Sequence, residues 1–268
     1  MYYSAKTASM SDYNESTSGG AIRTIVKVLL ERGDVAEAVM TCSSGFGAET
    51  MIIKDAATRI PATCYSYNRS LVSTLLSLPQ DTRRVIVALP CQARKAREML
   101  PSALIISTVC YQTVREEAIM GALEKCGLSL AGSKIMSVYR RHNELFVQTS
   151  ENLLTTPFKR FWRYLKFYNF SNPQCIQCED HLGKSADIVV CDHEHRSNMV
   201  LVRTINGVIA LGSSAHMLQI KGDKFHRLRV AFLIKTIRYK GALLIGKTLY
   251  RKRRAITALM PTSFSIIA

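Results

Sequence analysis

Acidic residues are scarce in this sequence. Its 268 residues include 20 Asp and Glu against 36 Lys and Arg, a formal charge of +16. From Lys224 to Ala268 there is no acid at all, and there are 11 bases. Removing the +11 of that segment from the +16 leaves +5 on the other 223 residues, so the basic character belongs mostly to a C-terminal tail. An excess of this sign points to an anionic partner: nucleic acid, a phosphorylated cofactor or a membrane surface. No run of 18 apolar residues occurs, which excludes a membrane-spanning helix. The opening Met1-Tyr-Tyr-Ser-Ala-Lys6 lacks a basic segment followed by an apolar one. No secretory signal is therefore expected, and the expected compartment is the cytoplasm. Gly-x-Gly-x-x-Gly, Walker A and Gly-x-Ser-x-Gly patterns are missing, which argues against a standard dinucleotide fold, a P-loop and a serine-hydrolase elbow.

What is present suits a packed core. Apolar residues make up 47% and charged residues only 21%, which excludes whole-chain disorder. Ile22, Ile25, Val26, Leu29 and Leu30 repeat at helical spacing, and Ser18 is placed to cap that helix. Gly33 stops it, and a short strand is expected over Val35 to Thr41. Arg84–Leu89 and Ala103–Cys110 read as strands buried on both faces, each followed by a helix, Gln92–Leu100 and Thr113–Cys126. This alternation predicts an α/β fold, a layered mixed sheet with flanking helices. Ile135–Arg140 and Leu145–Thr149 read as a strand pair turned at His142-Asn143, and Phe158–Phe170 as a helix. Three further strands are expected over Ala186–Cys191, Met199–Thr204 and Val208–Leu211, with a hairpin at Asn206-Gly207. Residues 1–222 form the expected main domain. Residues 223–268 form an amphipathic helical tail, with Val230, Leu233, Ile234, Ile237, Leu244 and Ile245 on one face.

Eight cysteines in a chain expected in the cytoplasm are thiols or metal ligands rather than a disulfide framework. Cys175-x-x-Cys178 has the bite for two thiolates on one metal or cluster. Cys91 and Cys110 end the two adjacent strand candidates, at the edge of an open α/β sheet where ligands bind. Four such thiolates suit a [4Fe–4S] cluster; the competing reading makes Cys91 and Cys110 small buried hydrophobes. A tetrahedral zinc site from Cys175, Cys178, Cys191 and His193 or His195 is the other alternative. Ser16-Thr-Ser-Gly-Gly20 places hydroxyls and glycines before a helix, the ingredients of an anion site or of a plain cap and loop. The basic run Tyr250-Arg-Lys-Arg-Arg254 could follow phosphates. It lacks interleaved aromatics, so nucleic acid is not the expected partner, and the 224–254 segment is read as docking on a partner or an anionic membrane surface.

Taken in order, these segments resemble the coenzyme F420 hydrogenase/dehydrogenase beta-subunit family, from about Tyr3 to Leu211. The resemblance rests on Ser16–Gly20 with Gly33-Asp-Val35, on Val85-Ile-Val-Ala-Leu-Pro-Cys-Gln92 and on Cys110 after a strand. It rests further on Cys175-Ile-Gln-Cys178-Glu-Asp180, on Ala186-Asp-Ile-Val-Val-Cys-Asp192 and on Val200-Leu-Val-Arg-Thr204 with Gly207. It implies an iron–sulfur flavoprotein oxidoreductase that passes electrons between a [4Fe–4S] cluster, FAD and a soluble hydride carrier, a deazaflavin in archaeal members. Some bacterial relatives imply a surface-polysaccharide biosynthesis context. Cys91, Cys110, Cys175 and Cys178 would be the cluster ligands. Ser18, Gly19 and Gly20 would lie by flavin phosphate, and Asp192 by the flavin. A redox partner protein or ferredoxin is implied as well, because the family's N-terminal ferredoxin-like module is expected to be lacking. Where the family pattern has glycines, this chain carries Ala88, Gln112 and Cys191. The alternative is a zinc-bound or metal-free interaction protein derived from this family, docking through its tail.

Overall fold

The computed structural model describes residues 1–61, 68–110, 113, 116–128, 130, 133–165, 175, 180, 182–193 and 196–222. In chain order the elements are β1 (Tyr2–Thr7), α1 (Met10–Asn14), α2 (Ala21–Glu31), β2 (Glu37–Ser44) and β3 (Gly47–Ile53). Next come α3 (Leu71–Ser77), β4 (Arg84–Ala88), α4 (Pro90–Met99), β5 (Leu104–Thr108) and α5 (Glu116–Lys125). Then follow β6 (Ile135–Arg141), β7 (Glu144–Thr149), β8 (Leu153–Pro157) and α6 (Phe158–Leu165). The last elements are β9 (Ile188–His193), β10 (Ser197–Val202), α7 (Ile205–Ser213), a 3-10 turn at Ala215–Met217 and β11 (Leu218–Gly222).

Eight strands form one mixed sheet in the order β11-β1-β10-β9-β5-β4-β2-β3. Its centre, β9-β5-β4-β2, is parallel, and both flanks are antiparallel. The central strands carry apolar runs, Ala38–Met40, Val85–Ala88, Leu104–Ile106 and Ile188–Val190, where both faces are covered. Val85 and Val87 face Ile22, Ile25, Val26 and Leu29 of α2, while Ile86 and Ala88 face Leu71 of α3 and Ala93 and Ala96 of α4. The result is a layered α/β structure, as the alternating pattern predicts. A second sheet, β6-β7-β8, packs with α5 and α6 around Leu145, Val147 and Phe161.

One sequence expectation fails here. Val208–Leu211 is not a strand after an Asn-Gly hairpin; it lies within α7. Thr204 caps that helix, its Oγ1 accepting from the Gly207 N–H at 3.1 Å and donating to Asp187 Oδ1 at 2.6 Å. Gly207, Ala210 and Leu211 turn inward at the i, i+3, i+4 spacing, which a strand could not provide. The sequence pattern does not anticipate β1, β3, β8 or α3. Among the described residues no helix is long and apolar enough to cross a membrane. The expected tail, 223–268, lies outside the described residues, as does the expected helix beyond Leu165.

Candidate functional site

The C-terminal ends of the parallel strands meet the N-terminus of α2. Between them lies a small cleft, lined by Ser16–Ser18 and Gly20–Arg23 on one side and by Thr108 and Val190–Asp192 on the other. Its position is the carboxyl edge of the parallel strands β5 and β9, the edge at which open α/β sheets bind ligands.

The Ser16–Gly20 segment is not a simple cap. Gly20, not Ser18, occupies the N-cap of α2, at φ +77°. That left-handed conformation suits glycine. It differs from the expectation because Ser18 is turned away from the helix and buried in a polar network. Its Oγ donates to Asp192 Oδ1 at 2.7 Å and accepts from Asn198 Nδ2 at 2.6 Å. Asn198 in turn accepts the Ala21 N–H through Oδ1 at 3.0 Å, so one side chain from β10 ties down both the loop and the start of the helix. Gly19 runs so close to β1 and β10 that a Cβ there would lie 2.6 Å from the Asn198 nitrogen and 2.8 Å from the Ala5 oxygen. The N–H groups of a helix's first turn lack partners within the helix. Here two of them belong to Ile22 and Arg23, which line the cleft. Such an end attracts negative charge.

Asp192 is the centre of the far wall. Arg140 Nη1 bonds its Oδ2 at 2.8 Å, while Ser18 holds its Oδ1. Arg140 comes from β6 of the smaller sheet and stacks over the Phe158 ring at 4.2 Å. Cys191, which also lines the cleft, has its thiol pushed up to about 12 by burial and the neighbouring Asp192 charge. In the zinc alternative this thiol would lose its proton on binding the metal. His193 ends β9 opposite Ser197, and His195 lies outside the described residues. Thr108, 4% exposed on the cleft's floor, has a buried Oγ1 with no partner among the described residues. A polar group in that state is suited to meeting a ligand.

The cysteines lie along the same sheet edge. Ala88 of β4 pairs with Ser107 of β5 in parallel register, so Cys91 and Cys110 each stand three residues beyond a matched pair. Cys91 sits in the first turn of α4, where the helix dipole favours a thiolate. Cys175 Sγ accepts from the Thr113 N–H at 3.3 Å and lies 3.2 Å from the Thr113 hydroxyl, beside the segment that follows Cys110. N–H···S bonds of this kind are what cluster thiolates receive. Cys178 lies outside the described residues. Among the described residues no three His, Cys, Asp or Glu side chains converge as a metal site.

The sequence does not single out Asn198 or Arg140. Asn198 is found only through the β9–β10 register, which sets it opposite Asp192. Arg140 is found only through the packing of the second sheet.

Residues 81–222 match the family model for the C terminus of the coenzyme F420 hydrogenase/dehydrogenase beta subunit. Among solved structures, a chain of the F420-reducing [NiFe] hydrogenase complex from Methanosarcina barkeri, determined with xenon, is similar with a TM-score of 0.70. The similarity covers 93% of this chain and 92% of that one at 18% identity, a likeness of fold. No curated protein matches.

Proposed function

Because the chain belongs to the coenzyme F420 hydrogenase/dehydrogenase beta-subunit family, an oxidoreductase family, we propose that it is a flavin- and iron–sulfur-dependent oxidoreductase acting with a soluble hydride carrier. The observation that carries this reading is the shared sheet edge. The Ser18–Asp192–Asn198 network and Cys91, Cys110 and Cys175 all lie at the C-terminal ends of the parallel strands or in the segments that follow them.

The residues present fit both groups. For a flavin dinucleotide, the α2 N-terminus suits the diphosphate, Gly19 and Gly20 let the loop before that helix pack against β1 and β10, and the Thr108 hydroxyl supplies a hydrogen-bonding group in the floor. For a cluster, Cys91, Cys110, Cys175 and Cys178 are the ligands, with Thr113 bonding one sulfur. When bound, the pair supplies exchange between two-electron hydride chemistry and one-electron transfer. The chain's own part is positioning. Asp192 is fixed by two donors, Ser18 is fixed by Asn198, and the cleft floor of Val190 and Met40 keeps one side apolar. A second protein is the natural electron partner, as the similar structure belongs to a multi-subunit hydrogenase complex.

The test is the visible spectrum and metal content of anaerobically purified, reconstituted protein. Flavin bands with broad absorbance near ~400 nm are expected. Cys175→Ser and Cys178→Ser should each abolish iron while leaving flavin. Iron unchanged in both variants would overturn the ligand assignment. About one equivalent of zinc with neither flavin nor iron would favour the interaction-protein alternative.

A further inference from the structure

Helix α7 is apolar on two opposite faces. Gly207, Ala210 and Leu211 are buried, the last two in the core that the large sheet shares with α2. On the other side Ile205, Val208, Ile209 and Gly212 form a stripe at the i, i+3, i+4, i+7 spacing. Ile205 is 78% exposed, Ile209 60% and Val208 48%. No residue of α7 carries a charge. A surface helix ordinarily turns a polar face to water, and a helix apolar all round is one that is covered on both sides. The sheet covers one side of α7. The other is an exposed apolar patch of the kind that meets another protein surface.

Gly212 bears on what that surface is. A Cβ at this position would meet nothing within 4 Å, and the backbone there is not left-handed. The chain's own packing therefore does not call for glycine, which weakens a helix relative to alanine. What glycine does provide is room for a second backbone to come close. The stripe also fits itself. Two α7 helices laid antiparallel, with a two-fold axis between Val208 and Ile209, set Ile205 of each copy opposite Gly212 of the other. Val208 then meets Ile209. The most exposed side chain of the helix enters the gap left by the missing one, twice by symmetry. Charge selects in the same direction. Each copy is net positive, so copies approach best where neither presents a cation. An acidic protein or an anionic surface would be recognised by cations, which α7 does not offer.

We propose that α7 is a two-fold dimer interface and that its occupant is α7 of a second copy of this chain. The proposal does not depend on what the cleft binds. A stripe of four residues is well below the roughly 20–30 residues a side of a standard interface. The dimer is therefore expected to dissociate at micromolar rather than nanomolar concentration.

Sedimentation velocity of the full-length chain between about 1 and 100 µM tests it. The mass should rise from 30.0 kDa towards twice that value. Ile205→Glu puts an acid at the start of α7 and Gly212→Lys a base near its end, where the helix dipole favours each, so the fold is retained. Each variant alone should weaken the dimer by at least about tenfold, with no loss of Tm. Mixed in equal amounts, the two should recover a dimer. One contact becomes an acid–base pair, and the other keeps the original Ile205 and Gly212. A single species of 30.0 kDa across the whole range would overturn the proposal. So would a dimer that survives both variants, which would place the contact elsewhere, or a mixture that stays monomeric, which would break the register. Phosphatidylcholine vesicles are the control: binding that Ile205→Glu abolishes would give α7 to a lipid surface and overturn the dimer as well.

Discussion

Asp187 concentrates more hydrogen bonding than any role in the cleft would require. It is 2% exposed, and its carboxylate accepts from Arg97 at 2.6 Å, the Ile105 N–H at 2.7 Å and the Thr204 hydroxyl at 2.6 Å. It therefore binds α4, β5 and the cap of α7 at one point. Asp187→Ala leaves Arg97 and a strand N–H unanswered, and is expected to cost about 3 kcal/mol. Urea denaturation would read the loss; a cost below about 1 kcal/mol would mean that the network is dispensable. At this scale the sequence was informative about residue type and less so about role. Ser18 and Asp192 are candidates the family resemblance suggests, and both line the cleft. Their direct bond was not legible, because it joins positions 174 apart in the chain. Asn198 and Arg140 carry no motif of their own.

At the scale of elements, the short helix α1 is anchored to α2 by a single acid. Arg23 Nη1 bonds Glu15 Oε2 at 2.6 Å, and Arg59 Nε reaches the same oxygen at 3.2 Å. The hydrogen bond from Arg23 lowers the Glu15 pKa below its ordinary 4.5, with Arg59 adding to it and partial burial opposing. A carboxylate lowered on folding stabilises above its unfolded pKa, and that contribution fades as pH falls through the folded value. Glu15→Gln should therefore destabilise by under about 1 kcal/mol at neutral pH and by progressively less below about pH 4.5. Thermal melts of both proteins at pH 7 and pH 3.5 would test it; an equal difference at the two pH values would contradict the assignment. The central strands were legible because burial on both faces gives each a short continuous apolar run. α7 was misread because Val208-Ile-Ala-Leu211 is also a continuous apolar run, and its helical cap depends on Asp187 from elsewhere. β1 was missed because its six residues are mostly half-buried and polar, and only pairing with β10 and β11 makes them a strand.

For the whole molecule, one wall of the cleft is supplied by the large sheet and the Arg140 brace by the small one. A ligand gripped by such a site stabilises everything that forms it. Saturation with flavin to about 100-fold over its dissociation constant should add ~2.7 kcal/mol to unfolding and raise Tm by several degrees. Ser18→Ala should reduce that increment more than it lowers the apo Tm. An increment untouched by Ser18→Ala would place the flavin elsewhere.

The pairing of β1 with β10 has a consequence for biogenesis. Tyr2 lies against Leu201 and Ala5 against Asn198, so β1 is made well before the strand it pairs with. The parallel centre, β2, β4 and β5, is available once the chain has emerged past Thr108. The cleft is completed only when Asn198 arrives from the ribosome. Such long-range closure is slow. A nascent chain stalled before β10 would present an unpaired β9 edge and no cofactor pocket, the state in which a chaperone has the most to shield.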